Sequence, residues 1–129
     1  MKTLRLDLER PLEQITEQLM RVQHRFPDLV TLENFEEKVK EGKLQVFPIR
    51  TQSVMVGQRH EDSVRIVAAA GLLQDILDFL PVFCHWYKRA GCTTATLGGR
   101  RGWSKYLIGM GWKHGDYDGE LVKDLSDVG

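Results

Sequence analysis

The chain has 129 residues, of which 42% are hydrophobic and 28% are charged, and its 18 basic and 18 acidic side chains leave no net charge. This length is typical of one domain, and the composition is that of a folded protein rather than a disordered one. Proteins that bind nucleic acid usually carry a basic excess. The balanced charge therefore predicts no nucleic-acid partner.

Neither the first residues nor the most apolar stretch indicates export or membrane insertion. The N-terminal segment lacks the apolar core of a signal peptide. The most apolar window, Val67–Trp86, contains Asp75 and Asp78, whose carboxylates would be costly in lipid. Two cysteines, Cys84 and Cys92, are better explained by a reducing compartment than by a disulfide. We therefore expect a soluble, cytoplasmic protein without a membrane span.

Hydrophobic periodicity predicts a strand and two helices in the N-terminal part of the chain. Residues Met1–Leu8 alternate between apolar and polar, as in a strand. A first helix follows, because apolar residues recur every three or four positions: Leu12, Ile15, Leu19, Val22 and Phe26. A second helix begins near Thr31, a good N-terminal cap, and ends at Gly42.

The middle of the chain contains three β segments and a long helical segment. The β segments are Lys43–Ile49, Ser53–Gln58 and Ser63–Ala70, and their short connections predict an antiparallel meander. The helical period returns over Leu72–Ala90. Proline in a helix interior removes a hydrogen bond, so Pro81 predicts a kink or the start of a second helical piece.

The C-terminal part alternates between strand and helix. Thr93–Leu97 is β-rich, Gly102–Met110 predicts a short helix, and Trp112–His114 with Glu120–Leu125 predicts a final hairpin. The predicted order is β-α-α-β-β-β-α-β-α-β-β, a mixed α+β domain. The right-handed crossover rule makes Ser63–Ala70 and the next strand along the chain a parallel pair.

Two C-terminal segments resemble the GNAT (Gcn5-related N-acetyltransferase-like) superfamily, which also uses this order of elements. Trp86–Cys92 is similar to the end of the family's central helix, and Gly98–Trp112 is similar to its last strand-helix-strand passage. The Gly-Arg-Arg-Gly-Trp segment further resembles small divergent GNAT-like proteins of tailed bacteriophages. The resemblance implies a single GNAT-like domain over residues 1–129, with a cleft where the two parallel strands splay apart at their carboxyl ends.

The chain departs from this family at the cofactor loop. Active members place an Arg or Gln and then two glycines where backbone amides hold the pyrophosphate of acetyl-CoA. Counted from the end of the central helix, these positions hold Gly71, Gln74 and Ile76, and Asp75 adds a negative charge. We predict no tight acetyl-CoA binding. If acyl-CoA does bind, Ala70 and Gly71 are the expected cofactor-binding residues.

A second departure affects the residue that protonates the leaving thiolate in the family. Four residues before the Gly-aromatic pair, a tyrosine is expected, but this chain has Leu107. Tyr106 is its neighbour, and one residue turns a helix by about 100°, so the hydroxyl would point elsewhere. Arg100 replaces the asparagine that often begins this helix. The sequence therefore assigns no catalytic residue.

The segment from Gly98 to Trp103 is the predicted site for a partner or an anion. Gly98 and Gly99 release the chain from its strand, and Arg100 and Arg101 then begin a helix. Cations at a helix N-terminus are unfavourable unless an anion neutralises them. The arginines either bind an external anion or acidic partner, or form a structural salt bridge with the tail. The tail offers three acids: Glu120, Asp124 and Asp127.

The scattered histidines do not predict a metal site. His60, His85 and His114 are far apart and have no cysteine or carboxylate at ligand spacing. We expect no metal and no assured cofactor, with acetyl-CoA as the one candidate.

Three functions remain open on the sequence alone. The preferred hypothesis is a catalytically degenerate GNAT-fold phage protein that acts in binding or virion assembly, with phage or host proteins as partners in the host cytoplasm or the virion. The alternative is an acyl-CoA-dependent N-acetyltransferase with a non-standard cofactor loop and a base such as Glu61 or His85. The third is a small regulatory module that binds a host protein.

Overall fold

The computed structural model describes Leu6 and residues 9–22, 34–98, 103–116 and 119–128. Within them lie four α-helices: α1 Leu12–Val22, α2 Phe35–Lys40, α3 Leu73–Arg89 and α4 Ser104–Leu107. The same residues form six strands: β1 Gln45–Ile49, β2 Ser53–His60, β3 Ser63–Ala70, β4 Thr94–Leu97, β5 Lys113–His114 and β6 Leu121–Asp124. Short 3₁₀ turns extend α4 to Met110 and follow β6 at Leu125–Asp127.

The six strands form one sheet in the order β1-β2-β3-β4-β6-β5. β3 and β4 are parallel, and every other neighbouring pair is antiparallel. The predicted α+β class, the meander, the parallel pair and the final hairpin are therefore confirmed. Of the predicted first strand, Leu6 is described, and it forms an isolated antiparallel bridge with Ile49.

Helices cover both faces of the sheet and bury one apolar cluster on each side. On the α1 side, Ile15, Leu19 and Phe35 pack against the sheet, and all three are buried. The confirmed stripe on α1 includes the partly buried Leu12 and Val22, whereas Phe26 and Thr31 lie outside the described residues. On the α3 side the cluster includes aromatic side chains from β1, from α3 and from the residue that precedes β5: Phe47, Phe79, Phe83, Tyr87 and Trp112.

The long helix α3 is continuous from Leu73 to Arg89 and contains Pro81 in its interior. The alternative of a second helical piece is therefore wrong. Proline removes its own backbone N–H and crowds the carbonyl one turn earlier, but Leu80 and Phe83, buried on either side of it, hold both halves of α3 on the sheet. Pro81 itself is exposed. Within the described part of the chain, no helix is long and apolar enough to span a membrane.

Candidate functional site

The parallel strands β3 and β4 pair over only half the length of β3. Ser63–Ile66 pairs with Thr94–Leu97, where β4 ends. β3 continues for four more residues, Val67–Ala70, which pair with β2 on their other side through Ala68, Ala69 and Ala70. Among the residues that the structure describes, none pairs with Val67–Ala70 from the β4 side. We call this segment the free edge of β3.

A β-bulge marks the point where the pairing with β4 stops. Ile66 lies opposite Gly57 and Ala68 lies opposite Val56, so Val67 is an extra residue in β3. As a result, Val67 and Ala68 both join the α1-side cluster, although neighbouring strand residues normally point to opposite faces. Bulges bend a strand and increase its twist. The bulge therefore sets the direction of the free edge.

The side chains of the free edge are small. Three successive alanines end β3, and Ala69 faces the α3-side cluster while remaining partly accessible. Leu77 of α3 and Trp103 at the start of α4 also pack on this cluster with part of their surface accessible. Backbone that is flanked by alanine can be approached closely by an extended ligand.

At the carboxyl end of β3, internal polar groups occupy the N-terminus of α3. The Leu72 backbone N–H donates to Ser53 Oγ at 3.0 Å. Ser53 Oγ in turn donates to Asp75 Oδ2 at 2.5 Å. Ser53 is fully buried and Asp75 is 5% exposed. We call this arrangement, the Leu72 amide with Ser53 and Asp75, the Ser53–Asp75 clamp.

Arg50 supplies the positive charge beside the clamp. Its Nη1 lies 2.5 Å from Asp75 Oδ1 and 3.1 Å from Asp78 Oδ2. The hydrogen bond to Asp75 is the main reason that the pKa of Arg50 is raised. Arg50 has φ 53°, a conformation that non-glycine residues rarely adopt. Arg10 fixes this turn, because its guanidinium donates to the carbonyl oxygens of Arg50 and Ser53 at 2.7 and 3.0 Å.

No protein-family model and no curated relative matches the sequence, but solved structures share its architecture. The ribosomal-protein-S18-alanine N-acetyltransferase from Escherichia coli superposes with a TM-score of 0.66 over 100% of this chain and 97% of that one, at 14% identity. The paiA N-acetyltransferase from Thermoplasma acidophilum, in complex with coenzyme A, gives 0.63 over 96% and 99%, also at 14% identity. The chain has the GNAT fold.

A third similar structure is a GNAT family N-acetyltransferase from Escherichia coli in complex with CoA, with a TM-score of 0.64 over 97% of this chain and 82% of that one, at 12% identity. Each of the three superpositions covers at least 96% of this chain. The agreement therefore extends to the entire GNAT fold rather than to one βαβ unit.

In this GNAT fold, the residues present do not fit the pyrophosphate of a CoA thioester. An anion at the N-terminus of α3 needs free amides, but the Leu72 amide is bonded to Ser53 and the Asp75 carboxylate lies beside it. Gly71 adopts φ 115°, and a Cβ there would lie 2.5 Å from Ser53 Cα. The expected cofactor residues Ala70 and Gly71 thus lead directly into the clamp. The absence of tight CoA binding remains a prediction.

The resemblance places Leu107 where the family has its thiolate-protonating tyrosine. Leu107 is fully buried in the α3-side cluster. Its neighbour Tyr106 is 37% exposed, and the Lys105 amine lies 5.0 Å from the centre of the Tyr106 ring. The phenol is therefore on the outer side of α4, and the buried side of this helix carries no acid at this position.

The predicted partner segment is described at its two ends. Gly98, half-buried, directly follows β4, and Trp103, also half-buried, packs on the α3-side cluster. Gly99, Arg100 and Arg101 lie outside the described residues, so the choice between an anion site and a tail salt bridge stays a prediction.

Two of the tail acids that could pair with these arginines, Glu120 and Asp124, have other contacts. Glu120 Oε2 lies 3.7 Å from Arg65 Nη1. The Asp124 carboxylate accepts a hydrogen bond from the Ser126 amide at 2.9 Å, and hydrogen bonds from Ser126 are the main reason that the pKa of Asp124 is lowered.

The structure does not bring the suggested general bases to the cleft. Glu61 lies in the β2–β3 turn, which precedes β3 and is therefore at the opposite end of this strand from the free edge. His85 is exposed on α3, twelve residues beyond Leu73 and hence about 18 Å along the helix. Neither residue is positioned to accept a proton from an amine in the cleft.

The cysteines are poor nucleophiles in this fold. Cys84 and Cys92, both among the described residues, are buried and form no disulfide. Burial raises the pKa of Cys84 to about 11 and also raises that of Cys92. Since the thiolate is the reactive form, Cys84 is inert at neutral pH. It borders an apolar cavity of about 200 Å³ that Leu80, Met110 and Trp112 also line.

Sequence reasoning found the charge of Asp75 but missed its partners. Arg50 and Ser53 read as ordinary residues at the ends of a turn, whereas in the structure they complete the clamp and its counter-charge. A usable signal existed, because a carboxylate near the start of a core helix must be paired when it is buried.

Proposed function

We propose that this GNAT-fold chain is an N-acyltransferase that uses an acyl thioester as the donor. The observation that supports it is the free edge of β3, where Val67–Ala70 has no partner from β4 among the described residues. An extended ligand that contains amide groups can bind such an edge through main-chain hydrogen bonds. The similarity to N-acetyltransferases over the whole chain gives independent support.

The reaction requires few groups from the protein beyond those that orient the substrates. A neutral amine attacks the thioester carbonyl, the new C–N bond forms as the C–S bond breaks, and the amine N–H proton ends on the departing sulfur. The free edge holds the thioester arm in one direction, and the apolar side chains around it exclude water. Such positioning can supply several kcal/mol of the barrier by making the attack effectively unimolecular.

Release of free thiol from acyl thioesters tests the proposal. Acetyl thioesters are mixed with three amines, an α-amino peptide, a lysyl peptide and a polyamine, and thiol is measured with a chromogenic reagent. We expect thiol release above the uncatalysed rate, with mass spectrometry showing the acylated amine. No release above background with any donor and amine would contradict the proposal.

A variant pair connects this activity to the cleft. Ala69→Leu fills the space beside the free edge and should lower thioester transfer at least about tenfold, because displacement of the arm by an ångström costs large factors in rate. Gln58→Leu on β2, a partly buried strand position away from the free edge, is the control and should retain activity. Equal activity of the two variants would show that the cleft is elsewhere.

A second candidate, a binding domain without catalysis, is favoured by the Ser53–Asp75 clamp, which occupies the anion-binding end of α3. Virion assembly and capture of a host protein are forms of this candidate that depend on the phage resemblance of the Gly-Arg-Arg-Gly-Trp segment. Under this candidate, Arg100→Ala/Arg101→Ala should abolish binding of an acidic peptide and change the free energy of unfolding by less than about 0.5 kcal/mol. Substantial destabilisation with retained binding would instead indicate a tail salt bridge.

A further inference from the structure

The charge at the N-terminus of α3 bears on which donor this chain can use. The Asp75 carboxylate lies among the groups that would otherwise face a phosphate, and it is 5% exposed. The same Arg50 guanidinium nitrogen binds both Asp75 and Asp78. A pyrophosphate at this end of α3 would lie beside the Asp75 carboxylate, and like charges repel.

The clamp is held from several sides, so a ligand cannot displace it at small cost. Ser53 is fully buried and bonds both the Leu72 amide and Asp75. The backbone of the turn that carries Ser53 is fixed by Arg10. Displacing Asp75 would leave the buried Ser53 hydroxyl without its acceptor and Arg50 with Asp78 alone, which is unfavourable.

The free edge of β3 has the opposite character. Val67–Ala70 offers about 13 Å of strand with small apolar side chains, and Ala69 is partly accessible whereas the other three residues are buried. The pantetheine arm of a thioester donor is uncharged, narrow and carries two amides, so it matches this edge in both shape and chemistry. The cleft therefore accepts the arm, while the clamp rejects the pyrophosphate that would follow it in CoA.

We infer that the donor is an acylated pantetheine arm that ends before the pyrophosphate, and that Ser53 and Asp75 determine this specificity. The inference rests on the proposed function, because it names the donor class for the same cleft. Free acyl-pantetheine and an acylated arm on a carrier protein share this chemistry. In either case the acyl C–S bond breaks, the acyl carbon bonds the amine nitrogen, and the amine proton leaves with the pantetheine sulfur.

Relative donor efficiency tests the inference. The value of kcat/KM for thiol release is measured with acetyl-pantetheine, with an acetylated arm on a carrier protein and with acetyl-CoA. We expect the wild-type chain to use acetyl-pantetheine at least about tenfold better than acetyl-CoA, and titration calorimetry to give a CoA dissociation constant weaker than about 1 mM. Faster transfer from the carrier-bound arm than from the free arm would identify a carrier protein as the source, and the reverse order would identify the free thioester.

Variants of Ser53 and Asp75 test whether these residues determine the donor specificity. Asp75→Asn removes the charge but keeps the shape, and it should raise the ratio of acetyl-CoA to acetyl-pantetheine efficiency about tenfold or more. Ser53→Ala frees the Leu72 amide and should change the ratio in the same direction, which preserves the test if one variant fails to fold. Asp78→Asn is the matched control, since it also loses a carboxylate beside Arg50 but is more exposed and has no bond to Ser53, and its ratio should change much less than that of Asp75→Asn.

The outcomes separate this inference from the proposed function. Preference of the wild-type chain for acetyl-CoA, or a CoA dissociation constant in the low micromolar range, would overturn the inference and leave the N-acyltransferase proposal standing. No transfer from any thioester by the wild-type chain or its clamp variants would overturn both. An unchanged donor ratio in Asp75→Asn and Ser53→Ala would refute the role of the clamp.

Discussion

The two ends of α3 are both closed by groups from the β1–β3 meander, but in different surroundings. At the N-terminal end, the Leu72 amide donates to Ser53, and the adjacent Asp75 is buried. At the C-terminal end, the exposed Arg59 donates from Nη1 to the Ala90 carbonyl at 2.8 Å. The polar groups at the N-terminal end are shielded from water, whereas the hydrogen bond at the C-terminal end is exposed to it. Burial, rather than the number of hydrogen bonds, should therefore decide how much each closure stabilises the fold.

The two ends of α3 also differ in their proposed roles, since one concerns ligand selection and the other concerns folding alone. The buried end of α3 adjoins the free edge of β3, where we propose that it restricts the donor. The exposed end follows the usual rules of helix termination, with Gly91 in the left-handed region and the Cys92 amide returning to the Tyr87 carbonyl at 2.9 Å. Four changes in α3 or at its two ends test this contrast, beginning with the largest expected effect.

Removal of the buried carboxylate should be the most destabilising change. Asp75→Ala leaves the buried Ser53 hydroxyl without an acceptor and Arg50 with Asp78 alone, and breaking a buried ionic group in this way typically costs about 3–5 kcal/mol of unfolding free energy. Urea denaturation measures the loss. Asp78→Ala, whose side chain is 34% exposed, is the control and should lose about 1 kcal/mol or less. Equal losses would remove the distinction between buried and exposed closure.

The middle of α3 gives a pH-dependent comparison. The pKa of Cys84 is raised by burial from its ordinary value of 9.0 to about 11, so the unfolded chain ionises before the folded one. Its stabilising contribution is complete below pH 9 and is lost as the pH rises from 9 to 11, by about 2–3 kcal/mol in total. The unfolding free energy of the wild-type chain should fall more steeply in this range than that of Cys84→Ala. Parallel curves would indicate that water reaches this thiol.

The backbone at the exposed end of α3 should contribute less than the clamp. Gly91 has φ 100° and a Cβ there would be 3.4 Å from the Arg59 guanidinium. Gly91→Ala should therefore cost about 1–2 kcal/mol, mainly through the left-handed conformation. Thermal unfolding measures this cost, with Gly109→Ala as the control because a Cβ at position 109 would meet no atom within 4 Å. A neutral Gly91→Ala would show that the helix end relaxes.

The smallest effect is expected at the exposed hydrogen bond. Arg59→Ala removes the bond to the Ala90 carbonyl, but water can replace the donor, so the unfolding free energy should change by no more than about 0.5 kcal/mol. Urea denaturation of Arg59→Ala beside Asp75→Ala gives the comparison directly. A loss at Arg59 that approaches the loss at Asp75 would show that the two closures are equivalent after all.

Local patterns in the sequence were enough for the elements and their order. Apolar spacing located α1 and α3, and β3 has the predicted bounds Ser63–Ala70. β2 extends two residues beyond its predicted end to His60, because the turn is reduced to Glu61 and Asp62, with Glu61 at φ 57°. A charged residue in a left-handed turn leaves no hydrophobic signal, so this boundary could not be found from periodicity.

The site was harder to predict because its parts are distant in the chain. Asp75 is separated by 22 residues from Ser53 and by 25 from Arg50. Their meeting depends on the register of β1, β2 and α3, which hydrophobic patterns do not specify to within one residue. The resemblance to the GNAT superfamily identified where a cofactor loop should be and that it was altered. It did not reveal what replaced the loop.

The extra residue in β3 affects how the length of this chain can change. Deleting one residue from a regular strand exchanges the two faces for everything that follows. At the bulge, Val67 and Ala68 share a face, so loss of Val67 restores simple alternation and leaves Ala68, Ala69 and Ala70 on their present sides. A single-codon deletion there would straighten β3 without exposing its core. A single deletion could thus change the shape of the cleft in a chain that still folds.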